Sequence, residues 1–161
     1  MRCRTVLLIA PNAQGLHLAQ RVLEEADTHH TVQVVRDGKA ALAYLLQPGV
    51  APDSCPTASP PDVIVLDLPL SGLYGLEVVR LLKQDPHYQH VPIIVLASSR
   101  RAEDVYQAYT AGANAYVRKP VGIARFLDVI EQLWTFWLET VELPPPYTLE
   151  GREGQGVISA P

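Results

Sequence analysis

The chain has 161 residues, of which 48% are hydrophobic and 19% are charged, and its formal net charge is −4 at pH 7. This length suits one domain with its own hydrophobic core, and the negative charge argues against a large basic surface for nucleic acid. No stretch approaches the roughly 20 apolar residues of a membrane-spanning helix. Cys3 and Cys55 lack metal-ligand spacing and are predicted to be free thiols in a reducing compartment, so we expect a cytoplasmic protein.

Short apolar runs alternate with segments of helical periodicity along the chain. In chain order, the apolar runs predict strands at Thr5–Ala10, Thr31–Val35, Val63–Asp67, Val91–Ala97 and Asn114–Arg118. The periodic segments predict helices at Ala13–Asp27, after the N-cap candidate Asp37, and at Gly72–Gln84, Arg101–Ala111 and Gly122–Val141. Five strands alternating with five helices predict an α/β fold, a doubly wound parallel sheet with right-handed crossovers.

Proline-rich sequence marks two segments outside these elements. Residues 48–61 contain five prolines, a density that is incompatible with helix or sheet and predicts a long mobile surface loop. We expect the folded domain to span residues 1–141. Residues 142–161 then form a proline-rich tail, which we expect to be partly disordered.

The third predicted strand ends in a carboxylate. Four β-favouring apolar residues run directly into Asp67, and an uninterrupted apolar run is typical of a central strand covered by helices on both faces. Asp67 would then lie at the carboxyl end of the sheet, where open parallel sheets place their ligand sites. Two interpretations stay open from this position alone: a structural residue bonded to the loop, or a reactive group.

The chain resembles the receiver domains of bacterial response regulators over roughly residues 5–140. The matching residues are Asp67 at its strand end, Gly75 eight positions later, the run Pro92-Ile93-Ile94-Val95-Leu96, Ala111-Gly112-Ala113, and Tyr116-Val117-Arg118-Lys119-Pro120. Within that family it is most similar to the single-domain regulators that partner bacterial phytochromes. The resemblance implies a flavodoxin-like sheet of order 2-1-3-4-5, a role in two-component signalling, and a sensor histidine kinase, here a bacteriophytochrome, as partner.

The same resemblance assigns roles to single positions. Asp67 stands where the family accepts a phosphoryl group from the kinase, Lys119 where a lysine pairs with that group, and Tyr116 where an aromatic side chain reports the switch. Two positions depart from the family. The acid pair that holds Mg²⁺ after the first strand falls on Ala10-Pro11, and the hydroxyl residue at the end of the fourth strand falls on Ala97.

These departures change the expected chemistry. Phosphoryl transfer depends on positioning and charge neutralisation, and Mg²⁺, which usually binds one or two carboxylates, supplies much of both. Asp67 alone against Lys119 makes the predicted pocket about neutral, so we expect no metal and no cofactor. Ala97 cannot bond a phosphoryl oxygen, and Ser98 would face the other way if the strand continued. We therefore predict a degenerate receiver, with Asp67 and Lys119 in a partly buried ion pair and Tyr116 in one rotamer.

Two functions remain open at this point. The first is a non-enzymatic protein-interaction module in one fixed conformation; the second is a conventional regulator phosphorylated on Asp67 with Mg²⁺. Enzymes with an Asp nucleophile, such as haloacid-dehalogenase-type phosphatases, need a second acid two residues later, where Pro69 stands. A flavodoxin-type flavin site needs a hydroxyl-rich phosphate loop, which residues 11–15 do not provide.

The last predicted helix has an unusually wide apolar face. At 100° per residue its apolar side chains cover an arc of roughly 200°, against the ~100° stripe of a core-facing helix. Large aromatic residues beyond the needs of the core suggest a partner surface, and we predict a homodimer through this helix. The alternative is that the tail folds back and covers it. The interface candidates are Phe126, Ile130, Trp134, Trp137 and Leu138.

Overall fold

All five predicted strands are present, and they pair in parallel to form one sheet. The computed structural model describes residues 3–11, 13–25, 30–46, 60–68 and 73–145. The strands are β1 (Thr5–Ile9), β2 (Thr31–Val35), β3 (Val63–Asp67), β4 (Ile93–Ala97) and β5 (Ala115–Arg118). Their order across the sheet is β2-β1-β3-β4-β5, which confirms the predicted flavodoxin-like topology.

Helices connect the strands and cover both faces of the sheet. They are α1 (Ala13–Glu25), α2 (Gly38–Leu46), α3 (Leu73–Gln84), α4 (Ala102–Ala111) and α5 (Ile123–Trp134), and α5 continues into a π-helical segment, Thr135–Thr140. The predicted loop 48–61 lies outside the described residues except for Pro60 and Pro61, as does the tail from residue 146 onward. None of the helices in the described part of the chain is long and apolar enough to cross a membrane.

Two apolar clusters, one on each face of the sheet, form the core, because successive strand side chains point to opposite faces. Strand residues such as Leu7, Ile64 and Val95 pack with α2, α3 and α4 on one face. The other strand residues pack with α1 and α5. β3 and β4 are buried along their whole apolar length, which is why their sequences show no polar alternation.

The parallel register brings the carboxyl ends of four strands together. Ile9 of β1 lies opposite Leu66 of β3, and Asp67 lies opposite Leu96 of β4. Ala97, the last residue of β4, lies opposite Arg118 at the end of β5. The residues that follow β1, β3, β4 and β5 therefore meet at the carboxyl end of the sheet, where the candidate site lies.

The C-terminus of α4 depends on a glycine, as predicted. Gly112 has φ = 114°, in the left-handed region, and its amide and that of Ala113 donate to the last carbonyls of the helix. A Cβ atom at Gly112 would come within 2.7 Å of Cγ of Lys83, whose aliphatic chain passes over it. The ammonium group of Lys83 then reaches the carbonyl oxygens of Val91, at 2.8 Å, and Gln89, at 3.3 Å.

The wide apolar face of the last helix belongs mainly to the core. Ile130, Trp134 and Leu138 are buried within the single chain at 0%, 5% and 6% exposure, which corrects their assignment to a partner surface. α1 covers part of this face, because it packs beside α5 and Trp134 Nε1 donates to the carbonyl of Ala19 at 3.3 Å. Leu143, beyond the helix, is buried in the same cluster. A helical wheel cannot reveal these two neighbours.

The remaining candidates on this helix are less enclosed. Phe126 and Trp137 are half-buried against the same cluster. Phe136 is 51% exposed and contacts Trp137 edge to face, with ring centroids 5.3 Å apart. The π-helical turn widens the backbone here, since the amide of Val141 donates to the carbonyl of Phe136, five residues back, at 2.9 Å.

Candidate functional site

An ion pair joins the ends of two strands at the edge of the sheet. Asp67 is the last residue of β3, and Lys119 follows β5, with β4 between them. Lys119 Nζ donates to Asp67 Oδ1, and the two side chains are only 19% and 15% exposed. The amide of Lys119 also donates to the carbonyl of Ala97 at 2.8 Å, which fixes the lysine beside the end of β4. One carboxylate faces one ammonium group, so the pair is neutral.

The end of β1 contributes no charge to this pair. Ala10 is 2% exposed and its amide donates to the carbonyl of Val35 at 2.9 Å, while Pro11 lies exposed on the surface. Neither side chain has a donor or acceptor atom. Among residues 3–11, 13–25, 30–46, 60–68 and 73–145, no three His, Cys, Asp or Glu side chains are grouped so as to hold a metal ion.

The end of β4 contributes a methyl group. Ala97 is buried at 4% exposure and is the last residue of the strand. Because the strand stops there, alternation along a strand no longer decides where Ser98 points; its side chain is exposed. The next residue, Ser99, is engaged elsewhere: its hydroxyl donates to the Asp104 carboxylate in the first turn of α4 and accepts from the amide of Arg101 at 3.3 Å.

Tyr116 is held at both its backbone and its phenol. The ring packs against the core cluster on the α4 side of the sheet, and the hydroxyl donates to the carbonyl of Ser99 at 3.0 Å. The amide of Tyr116 donates to the hydroxyl of Tyr109 on α4 at 3.2 Å. Burial is the main cause that raises the pKa of the Tyr116 phenol above its usual 10.0, so the group keeps its proton and remains a donor.

The sequence predicted Asp67, Lys119, Ala97 and Tyr116 as site residues. The first three lie at the carboxyl end of the sheet, whereas Tyr116 lies within β5, opposite Val95 of β4. Three residues were missed: Ser99 and Tyr109, which bond to Tyr116, and Asp104, which bonds to Ser99 in the loop before α4. A serine just before a predicted helix is a common helix-capping pattern and could have indicated Ser99. Its bond to a tyrosine 17 residues away has no such signal.

Comparisons with known proteins give a consistent set of relatives. The family model described as the response regulator receiver domain matches residues 6–131. The response regulator Rcp1 of Synechocystis sp. is 33% identical over 141 residues, covering 88% of this chain and 93% of Rcp1. Rcp1 has a solved structure in an Mn²⁺-bound form, with a TM-score of 0.78, 33% identity, and 88% of this chain and 99% of that chain covered.

Two further solved structures are similar along most of the chain. The phosphorylated cyanobacterial phytochrome response regulator RcpA has a TM-score of 0.81 and 33% identity, covering 89% of this chain and 100% of that one. The bacteriophytochrome response regulator AtBRR has a TM-score of 0.61 and 37% identity, covering 85% of this chain and 96% of that one. The range matched by the family model includes Ala10, Asp67, Ala97 and Lys119.

Proposed function

The chain belongs to the response regulator receiver family, and from that premise we propose that it is an atypical receiver that signals without normal Mg²⁺-dependent phosphorylation. It is related to Rcp1 and to the phytochrome response regulators RcpA and AtBRR. In this proposal the domain is a non-enzymatic interaction module. It binds its partner in one conformation.

The observation that carries the proposal is the direct pairing of Asp67 with Lys119 at a site where the acid pair after β1 is replaced by Ala10 and Pro11. Several clustered carboxylates repel one another and attract a divalent cation, whereas one carboxylate paired with one ammonium group has no excess negative charge. Ala10 and Pro11 offer no oxygen ligand in their side chains. The donor set therefore does not fit Mg²⁺.

Ala97 supports the proposal independently. A phosphoryl group on Asp67 would bring three strong acceptor oxygens, and the methyl group of Ala97 cannot donate to any of them. The nearby hydroxyl of Ser99 already donates to Asp104. Without a metal ion, Lys119 would be the one cation paired with Asp67 in the described residues that opposes the added negative charge, and Ala97 would add no hydrogen bond to it.

The relatives suggest the class of partner. RcpA and AtBRR are phytochrome regulators, and we propose that this chain works with a sensor histidine kinase of the bacteriophytochrome kind, in the cytoplasm and without binding nucleic acid. We also propose a homodimer, with a smaller contact surface than the whole apolar face of the last helix. With Ile130, Trp134 and Leu138 buried, the contact would use the exposed apolar part of the last helix around Phe136.

The test is phosphorylation of the whole chain by a small phosphodonor. The wild type is incubated with acetyl phosphate and Mg²⁺, and its intact mass is compared with that of RcpA treated identically, since RcpA is known in a phosphorylated form. A matched variant restores the missing groups, Ala10→Asp, Pro11→Asp and Ala97→Thr. We expect no mass gain in the wild type. A stoichiometric gain on Asp67 that hydroxylamine removes would overturn the proposal.

The second candidate is a conventional regulator phosphorylated on Asp67. It is favoured by the presence of both Asp67 and Lys119 at the expected strand ends, and by the phosphorylated form of RcpA. It predicts the opposite result in the same experiment.

A further inference from the structure

Ser99, in the loop between β4 and α4, is bonded through both its backbone and its side chain. Its carbonyl oxygen accepts a hydrogen bond from the phenol of Tyr116 at 3.0 Å, which connects the loop to β5. Its hydroxyl donates to the carboxylate of Asp104 and accepts from the amide of Arg101, which ties the same loop to the first turn of α4. Ser99 therefore links the sheet and the helix directly.

A second contact joins the same two elements further along. The Tyr109 hydroxyl, near the end of α4, accepts from the Tyr116 amide at 3.2 Å. Ser99, Asp104, Tyr109 and Tyr116 thus form one connected set of hydrogen bonds, which we call the α4 latch. It attaches α4 at both its first and its last turn to the residue that stands at the family's switch position.

The α4 latch does not include the Asp67–Lys119 pair. The hydrogen bonds of the latch run among β5, α4 and the loop before α4, whereas Lys119 bonds to Asp67 through its side chain and to Ala97 through its backbone. Ala97, which lies between the two sets, has a methyl group that can transmit no hydrogen bond. The Ser99 hydroxyl, which bonds to α4, lies two residues beyond Ala97, where the family has its hydroxyl residue.

We propose that the α4 latch fixes α4 against β5 whatever the state of Asp67, so that α4 presents its outer face to partners constitutively. The inference rests on the proposed function, and it names the residues that replace phosphorylation as the determinant of the domain's conformation. The outer face of α4 includes Tyr106, which is 76% exposed. Tyr116 and Ser99 are positioning residues in this account, since they act through the orientation of α4.

The first arm of the test measures amide hydrogen exchange in α4, relative to that in β1, for Tyr116→Phe and Ser99→Ala. Loss of one ordinary hydrogen bond should speed local exchange about fivefold. Two variants serve as matched controls. Tyr88→Phe removes a phenol that bonds to the carbonyl of Leu45 at 2.7 Å, away from α4, and Ser98→Ala removes the neighbouring exposed hydroxyl. Neither control should change α4 exchange.

The second arm asks whether α4 senses Asp67. Backbone amide chemical shifts in α4, which report local structure and do not follow global stability, are compared with those of the wild type for Asp67→Asn and for the wild type with acetyl phosphate and Mg²⁺, and we expect no change in either case. Unchanged α4 exchange in Tyr116→Phe, or shifted α4 amides in Asp67→Asn, would overturn the latch. A mass gain on Asp67 with unshifted α4 amides would overturn the proposed function and leave the latch standing.

Discussion

Replacing Asp67 with Asn distinguishes a paired acid from a clustered one by the sign of the stability change. In a site with several carboxylates, removing one relieves repulsion and should stabilise the domain. Here the structure pairs Asp67 with Lys119, and no other acid of the described residues joins them in a metal-type group. Asn at this position would leave the ammonium group without its counter-charge in a site that is mostly enclosed, so Asp67→Asn should destabilise the fold.

The size of the effect follows from the burial of the pair. Breaking a fully buried ion pair costs about 3–5 kcal/mol, because the remaining charge stays buried and unpaired. The side chains of Lys119 and Asp67 keep 19% and 15% of their exposure, so water partly solvates the remaining charge. We expect a loss of about 2–3 kcal/mol in the free energy of unfolding, below the fully buried range. For a domain of this length that is a decrease of about 4–12 °C in Tm.

Urea unfolding of the wild type, Asp67→Asn, Lys119→Met and the double variant measures this directly. The double-variant cycle should return a favourable coupling between the two residues. The matched control is Glu25→Gln, which breaks the surface pair between Arg21 and Glu25, whose side chains are 68% and 67% exposed; such a pair contributes about 0.3–0.5 kcal/mol. An increase in stability for Asp67→Asn would refute the reasoning.

Further variants test individual parts of the fold. Gly112→Ala should destabilise the domain by about 1–2 kcal/mol or more from its φ of 114° alone, with added crowding against Lys83, as measured by urea unfolding. Burial lowers the pKa of Lys83 in the folded chain below 10.5, so between the folded pKa and 10.5 the unfolded chain binds more protons. In this pH range the free energy of unfolding of the wild type, relative to Lys83→Met, should rise with pH. A fall would contradict the prediction. Trp134→Ala should cost about 3–5 kcal/mol, since its side chain is buried. Phe136→Ser should lower the light-scattering mass from that of a dimer to that of a monomer, since Phe136 is 51% exposed in the single chain. A monomer mass for the wild type would exclude the dimer.

β3 and β4 were predictable because both are buried and apolar along almost their whole length. Pro69 and Pro92, which cannot donate a backbone hydrogen bond, stand close to their ends. Their ends were less exact: β4 begins at Ile93 and not at Val91, because Pro92 has no amide proton and the carbonyl of Val91 accepts from Lys83. The pairing of Asp67 with Lys119 came from the family resemblance, since 52 residues separate them.

Contacts set by tertiary packing were not predictable. The width of the apolar face on the last helix suggested a partner, but α1 packs against the helix and Leu143 is buried in the same apolar cluster within one chain. The change from α- to π-helix at Thr135 leaves no pattern that periodicity detects. The α4 latch was not predictable for the same reason, because Tyr116 and Ser99 come into contact only when β4 and β5 pair.

Divalent-ion binding at the strand ends tests the central claim most directly. Mn²⁺ is titrated into ¹⁵N-labelled protein, and paramagnetic broadening is followed at the amides of Asp67, Leu68 and Lys119 in the wild type and in the variant Ala10→Asp, Pro11→Asp. A neutral pair without further carboxylates predicts no saturable broadening in the wild type and saturable broadening in the variant. Saturable broadening centred on Asp67 in the wild type would show that the site binds a metal ion after all.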